Sequence, residues 1–253
     1  MIYRLTIQYD GTDFAGWQVQ AQGERTVQGE LERVLSLLDG RAVAVAGAGR
    51  TDAGVHAEAQ VASFRLEREF APEKLRDAIN GNLDSDVRVV EARRAPDDFH
   101  ARFSARGKTY VYRIFNERFN SPFLSRYAHR EGRPLDAGRM RECARLFLGT
   151  HDWTAFSAAQ SDVRDRVRTV TRLEVTERRS ARGRGRLVEI TASADGFLRF
   201  MVRSIAGTLI AAGRGEIGED IIARALSTGD RTLAAPTATA RGLTLVAVHY
   251  DEP

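Results

Sequence analysis

The sequence predicts an α+β fold made of two ferredoxin-like/RRM-like β-α-β-β-α-β units with mainly antiparallel sheets, the open sheet faces forming a cleft. Three observations predict it. Residues 2–9 alternate, with Tyr3, Leu5, Ile7 and Tyr9 on one face and Arg4, Thr6 and Gln8 on the other, the period of a strand with one covered face. Segments of helical spacing are interleaved with strand-like runs in each half, two in the first and three in the second. The order of elements in the first half recurs in the second with an added helix, although no clear sequence identity relates the two. Such units lay their helices on one face of an antiparallel sheet.

After the first strand, Val27, Leu31, Val34, Leu35 and Leu38 recur at helical spacing, with Thr26 placed as N-cap and Gly40 just past the end. Strands follow at 42–46 and 59–65. Pro72 stands at the first turn of a short helix reaching Ile79, and a strand covers 86–93. In the second half Lys108 to Asn116 alternates, with Tyr110, Tyr112 and Ile114 on one face. Asp136 caps a helix through Met140, Cys143, Ala144 and Phe147. Strands are expected near 167–176 and 186–194, a long apolar helix from Phe197 to Ala212, a short helix over 219–227, and a last strand from Leu243 to Tyr250. The expected domains are 1–105 and 106–253.

The 253 residues fit one large domain or two small ones. No apolar run approaches the ~20 residues of a membrane span, and the N-terminus enters a strand pattern at once, so a cytoplasmic location is expected. The single cysteine, Cys143, excludes an intramolecular disulfide and a cysteine-based zinc cluster. Its place in an apolar helical pattern makes it a packing residue. The net charge of +4 is unevenly spread: 13 basic and 17 acidic side chains in residues 1–105, 25 and 17 in residues 106–253. The excess on the C-terminal half favours a polyanionic partner. Arginine supplies 36 of the 38 basic residues, a ratio that GC-rich coding also produces.

Three loops carry chemistry. Gly49-Arg50-Thr51-Asp52-Ala53-Gly54-Val55-His56-Ala57 sets an acid, a base and a histidine between two strands, with glycines that permit a sharp turn. Asp beside Gly is also a common turn pair, so this loop alone leaves a structural and a chemical reading open. Asp10 to Gln18 holds two carboxylates and two aromatics. Arg178 to Arg186 has five arginines in nine residues and reads either as a solvated hairpin tip or as an RNA-contacting finger.

Tyr9-Asp10-Gly11-Thr12, Phe14-Ala15-Gly16-Trp17-Gln18 and Gly49-Arg50-Thr51-Asp52-Ala53-Gly54-Val55-His56 resemble the tRNA pseudouridine synthase A family (TruA). So do Phe99-His100-Ala101-Arg102, Lys108-Thr109-Tyr110-Val111-Tyr112, Phe200-Met201-Val202-Arg203 and Arg231-Thr232-Leu233-Ala234-Ala235-Pro236, followed by Gly242-Leu243. The motifs run in order over nearly the whole chain. The resemblance implies isomerisation of uridine to pseudouridine at tRNA positions 38, 39 and 40 in the anticodon arm, with no cofactor and no metal, by a homodimer. The cleft then becomes an active-site cleft. One departure is Asp84, where the family often has proline.

By motif position Asp52 is the catalytic carboxylate. It attacks the sugar C1′, attacks the uracil C6 or removes a C2′ proton; the residues do not choose among these. Arg203 matches the family's Met-Val-Arg position and is the expected ion-pair partner, since an arginine in an apolar helix is costly to bury unpaired and an opposite charge favours the carboxylate. Tyr110 matches the tyrosine that stacks on the target base, a contact worth ~1–3 kcal/mol; Tyr112 is read as sheet packing. Arg50 is the candidate for filling the space left by the flipped base or holding its phosphate. His56 is read as a loop-fixing or RNA-backbone residue ahead of an acid–base role. Two rivals remain: a catalytically silent RNA-binding protein on this fold, and a metal-dependent nuclease using Asp10, Asp13 and Asp52.

Overall fold

The computed structural model describes residues 1–21, 23–159, 163–179 and 185–251. They form a mixed α+β protein with mostly antiparallel strands. The chain divides into two compact units: Met1–Arg106 together with the segment from Thr244, and Gly107–Leu243.

In chain order the first unit contains β1 (Ile2–Tyr9), α1 (Val27–Asp39), β2 (Ala46–Gly47), β3 (His56–Arg65), α2 (Pro72–Asn80) and β4 (Val87–Ala95). β1 is the central strand, antiparallel to β3 on one edge and β4 on the other. Its alternation is that of one covered face: Tyr3, Leu5 and Ile7 are fully buried, each side chain contributing about 1.5–3 kcal/mol by leaving water. α1 starts where Thr26 accepts the Gly29 N–H and stops at Gly40, whose φ of 78° is the left-handed conformation open to glycine. Pro72 opens α2. The turn containing Asp84 is held by charge: the Arg25 guanidinium is 2.6 Å from Asp86 and 3.1 Å from Asp84.

The strand expected at 42–46 is reduced to Ala46–Gly47, paired with Ser63 and Ala62 of β3. The reason lies in α1. The Val43 N–H donates to Ser36 Oγ, the Val45 N–H to Glu32 Oε1, and Gln28 Nε2 donates to the Val45 carbonyl. Side chains of the helix thus satisfy backbone groups that a ladder would otherwise use.

The second unit continues from β5 (Ala105–Asn116) through β6 (His129–Glu131), α3 (Ala137–Ala144), β7 (Gly149–Asp152), β8 (Val167–Arg179), β9 (Arg186–Ala194), α4 (Met201–Gly213) and α5 (Glu219–Thr228). β9 is antiparallel to both β5 and β8, β7 pairs with β8, and the three-residue β6 runs parallel to β5. Asp136 caps α3 through the Gly138 and Arg139 N–H groups. Cys143 is buried. Nearly every residue of α4 is buried, as expected of a helix apolar all round. α4 begins four residues later than its apolar pattern, because Phe200 takes φ 66° and interrupts the helix there.

The last strand, β10 (Leu243–Tyr250), forms at the expected residues. From Thr244 onward it groups with the first unit, running parallel to β3 with Thr244 opposite His56 and Leu245 opposite Ala57. The second unit ends at Leu243, the first residue of this strand. Tyr250 anchors the strand: its hydroxyl donates to the Ala101 carbonyl at 2.7 Å, and the Arg4 guanidinium lies 4.3 Å from its ring centre.

Candidate active site

Asp52 opens a tight turn. The Val55 N–H donates to the Asp52 carbonyl at 3.1 Å, and Gly54 takes φ 78°, the backbone sign that favours glycine. The Asp52 side chain is half-buried, while Arg50 is exposed and its Nε donates to Gln18 Oε1 at 2.9 Å.

Buried polar groups brace the strand side of this turn. Thr51 Oγ1 lies 2.9 Å from the Tyr9 hydroxyl. Gln60 Nε2 donates to the Gly49 carbonyl at 2.9 Å and lies 3.5 Å from the same hydroxyl. Tyr9, Thr51 and Gln60 are all buried, so the bonds at the Tyr9 hydroxyl stand where water does not compete. Burial, partly offset by the Thr51 and Gln60 hydrogen bonds, pushes the Tyr9 phenol up to about 12; it is neutral at physiological pH.

The loop from Asp10 to Gln18 packs directly on the Asp52 turn. The Trp17 N–H donates to the Thr51 carbonyl at 3.0 Å. A Cβ on Gly16 would stand 2.7 Å from that same carbonyl oxygen, and one on Gly11 2.0 Å from the Val55 carbonyl oxygen. Both glycines are thus required by close backbone approach. His56 ties the loops together: its Nδ1 accepts the Gly11 N–H at 3.0 Å and lies 3.2 Å from Asp10 Oδ1. Among the described residues no three His, Cys, Asp or Glu side chains gather as metal ligands.

In the second unit, Tyr110 stands on β5 opposite Ala192 of β9, buried, with its ring edge-on to Phe197 at 5.2 Å between centres. Tyr112 is fully buried, and its hydroxyl donates to the Thr239 carbonyl at 2.9 Å. Burial pushes its phenol up to about 12. Arg203 projects from the first turn of α4. Its Nε donates to the Ala238 carbonyl at 2.8 Å, while the Ala238 N–H returns a bond to the Arg203 carbonyl at 3.1 Å. Its guanidinium lies 5.0 Å from the Phe200 ring centre, and that of Arg199 lies 4.8 Å from it. The left-handed backbone at Phe200 is costly for a bulky residue, and its ring lies within reach of both cations.

The segment Arg231–Ala238 is strapped along α4. Arg231 donates to the Ala235 carbonyl and to Thr237 Oγ1, the Ala235 N–H donates to Thr208 Oγ1, and Thr237 meets Ser204. Gly207 makes the contact possible, since a Cβ there would stand 2.1 Å from the Pro236 carbonyl oxygen. Two motifs separated by about thirty residues in sequence are thereby one structural feature.

Of the basic loop, Arg178 and Arg179 end β8 and Arg186 begins β9, with Arg179 opposite Arg186; Arg182 and Arg184 lie outside the described residues. Sequence reasoning assigned no role to Tyr9, Thr51, Gln60 or Gly207. Buried hydroxyls and an amide flanking a Gly-Asp turn are a faint signal, and nothing local in the sequence pairs Gly207 with Pro236.

The family model described as tRNA pseudouridine synthase matches residues 5–104 and 143–251. The chain is 43% identical over 252 residues to the tRNA pseudouridine synthase A of Maricaulis maris (strain MCS10), covering 99% of this chain and 98% of that protein. It is 41% identical over 249 residues to the tRNA pseudouridine synthase A of Geobacillus sp. (strain WCH70), covering 98% of each. To that of Bacillus sp. (strain KSM-64) it is 39% identical over 248 residues, covering 98% of this chain and 99% of the other.

Proposed function

The chain belongs to the tRNA pseudouridine synthase family, isomerases of uridine in tRNA, and on that premise we propose that it converts uridine to pseudouridine at positions 38, 39 and 40 of the anticodon arm with Asp52 as catalytic carboxylate. One observation carries the assignment: Asp52 heads a turn whose preceding residues are anchored by buried Tyr9, Thr51 and Gln60. A half-buried carboxylate on a braced backbone keeps its place when a base is brought against it. The reaction breaks the glycosidic N–C bond, turns the uracil and forms a C–C bond from C5; the C5 proton is released and N1 takes one up. It uses no cofactor and no metal.

In this reading Tyr110 stacks on the flipped uracil, Arg203 supplies counter-charge to the carboxylate, and Arg50 fills the vacated stack or holds a phosphate. The enzyme acts in the cytoplasm as a homodimer. Each unit is an elaborated ferredoxin-like module, a description supported in the first by antiparallel pairing of β1 with β3 and β4 and of β2 with β3. No helix among the described residues is long and apolar enough to cross a membrane.

Tritium release from tRNA carrying 5-tritiated uridine tests the reaction. The wild type is expected to release tritium and Asp52→Ala to release none above background while still binding tRNA. Release that persists in Asp52→Ala removes Asp52 from the chemistry. Binding without release by the wild type favours a catalytically silent RNA-binding protein.

A further inference from the structure

We propose that a basic recess at one end of the second unit's sheet is an RNA-backbone site that takes the phosphates of a polyribonucleotide; the identity of that RNA rests on the tRNA reading above. The recess has a volume of about 680 Å³, and its lining includes Asn116, Arg118, Arg133, Arg179 and Arg186. Four arginines face one carboxylate, Glu117, among the described residues that line it.

The floor is rigid. Asn116 ends β5, buried, and uses its whole amide: Nδ2 donates to the Glu131 and Arg133 carbonyls at 2.9 and 2.6 Å, while Oδ1 accepts from Arg186 at 2.9 Å and from the Leu135 N–H at 3.3 Å. Glu131 beneath it is buried and ion-paired to Arg214 at 2.9 Å. Burial alone would raise this carboxyl, but the Arg133 N–H and the Arg214 guanidinium outweigh it and hold Glu131 below the usual carboxylate range. Arg186 is fixed by Glu177 at 2.6 Å and Arg133 by Glu216 at 2.7 Å. These pairs neutralise two of the four arginines.

The other two are differently placed. Arg118 and Arg179 are exposed, and among the described residues neither has a carboxylate within ion-pair distance. The Arg118 guanidinium lies 5.3 Å from the ring centre of Phe119, which is 71% exposed. Guanidinium forks suit phosphate oxygens, and an exposed aromatic ring beside one offers a stacking surface for a base. A small inorganic anion would use neither the ring nor so large a recess. An acidic peptide would use the charge and leave the ring idle.

The test is the salt dependence of tRNA binding by the full chain with Arg118→Ala and Arg179→Ala combined. Each lost phosphate contact should make the log–log salt slope shallower by roughly 1, so the double variant is expected to lose about 1–2 in slope and about tenfold in affinity at physiological salt. Its kcat at saturating tRNA should match the wild type, and Arg118→Lys with Arg179→Lys should keep most of the slope. Arg224→Ala, at an exposed position of α5 that does not line the recess, should leave the slope nearly unchanged. An unchanged slope in the double alanine variant overturns the site. So does an equal loss in Arg224→Ala, or polyglutamate competing as well as a polyribonucleotide of equal charge. A wild type that binds tRNA through these arginines yet releases no tritium would instead remove the isomerase reading and leave the site standing.

Discussion

The Tyr9 hydroxyl lies 2.9 Å from Thr51 Oγ1, with both residues buried, so the central strand of the first sheet is bonded to the residue immediately before Asp52. Tyr9→Phe removes this bond and the contact with Gln60. The net loss of stability is expected to be about 1 kcal/mol. The loss in kcat is expected to be larger than the loss in tRNA affinity, about 3–10-fold, because reactivity depends on placement more steeply than binding does. Thr51→Ser should stay near the wild type and Thr51→Val should follow Tyr9→Phe. Steady-state kcat and KM on the four proteins check this; an unaltered kcat in both Tyr9→Phe and Thr51→Val would reduce the bond to a packing feature.

Alkaline titration should expose the buried phenols. Tyr9 and Tyr112 are both pushed up to about 12, mainly by burial, against an ordinary value near 10. A raised folded-state value means that the stabilisation is whole below pH ~10 and is lost as pH rises toward ~12, as ionisation favours the unfolded chain. Each tyrosine should withdraw about 2–3 kcal/mol over that window. Tm followed from pH 9 to 12 should therefore fall less steeply in Tyr9→Phe and in Tyr112→Phe than in the wild type. Parallel curves would mean that the two phenols reach solvent before unfolding.

His56 separates scaffold from catalyst. Its Nδ1 accepts the Gly11 N–H at 3.0 Å, a bond that an asparagine side-chain oxygen can also accept. His56→Asn is expected to keep kcat within about threefold, whereas loss of a general acid–base group costs about 10²–10⁴-fold. A single-turnover rate that drops by the larger factor, with folding intact, would return His56 to the chemistry.

Gly207 is expected to tolerate no side chain. A Cβ there meets the Pro236 carbonyl oxygen at 2.1 Å, and the backbone two residues on exchanges hydrogen bonds with Arg203. Gly207→Ala should cost about 1–3 kcal/mol by overpacking and lower kcat/KM with it. Gly81→Ala, whose Cβ would meet nothing closer than 3.4 Å, serves as the control and should be nearly neutral. Thermal melting of both variants decides the matter.

The sequence by itself determined what depends on local period and on single side chains. The alternation of β1, the Thr26 and Asp136 caps, the Gly40 stop, Pro72 at the start of α2 and the limits of β10 are short-range features, and the structure has them where they were read. The motif around Asp52 was likewise legible, because its glycines mark a turn whatever surrounds it. Tertiary structure decided the rest. Residues 42–46 have the apolar composition of a strand, yet α1 side chains claim the Val43 and Val45 backbone groups. β10 follows a second-half pattern, yet it pairs with β3 and groups with the first unit. The bonds from Tyr9 and Gln60 to residues 49–51, and the contact of Gly207 with Pro236, join residues far apart in sequence. Local periodicity carries the burial of each partner but not its identity, which is set only when the chain closes and every buried polar group must find a bond.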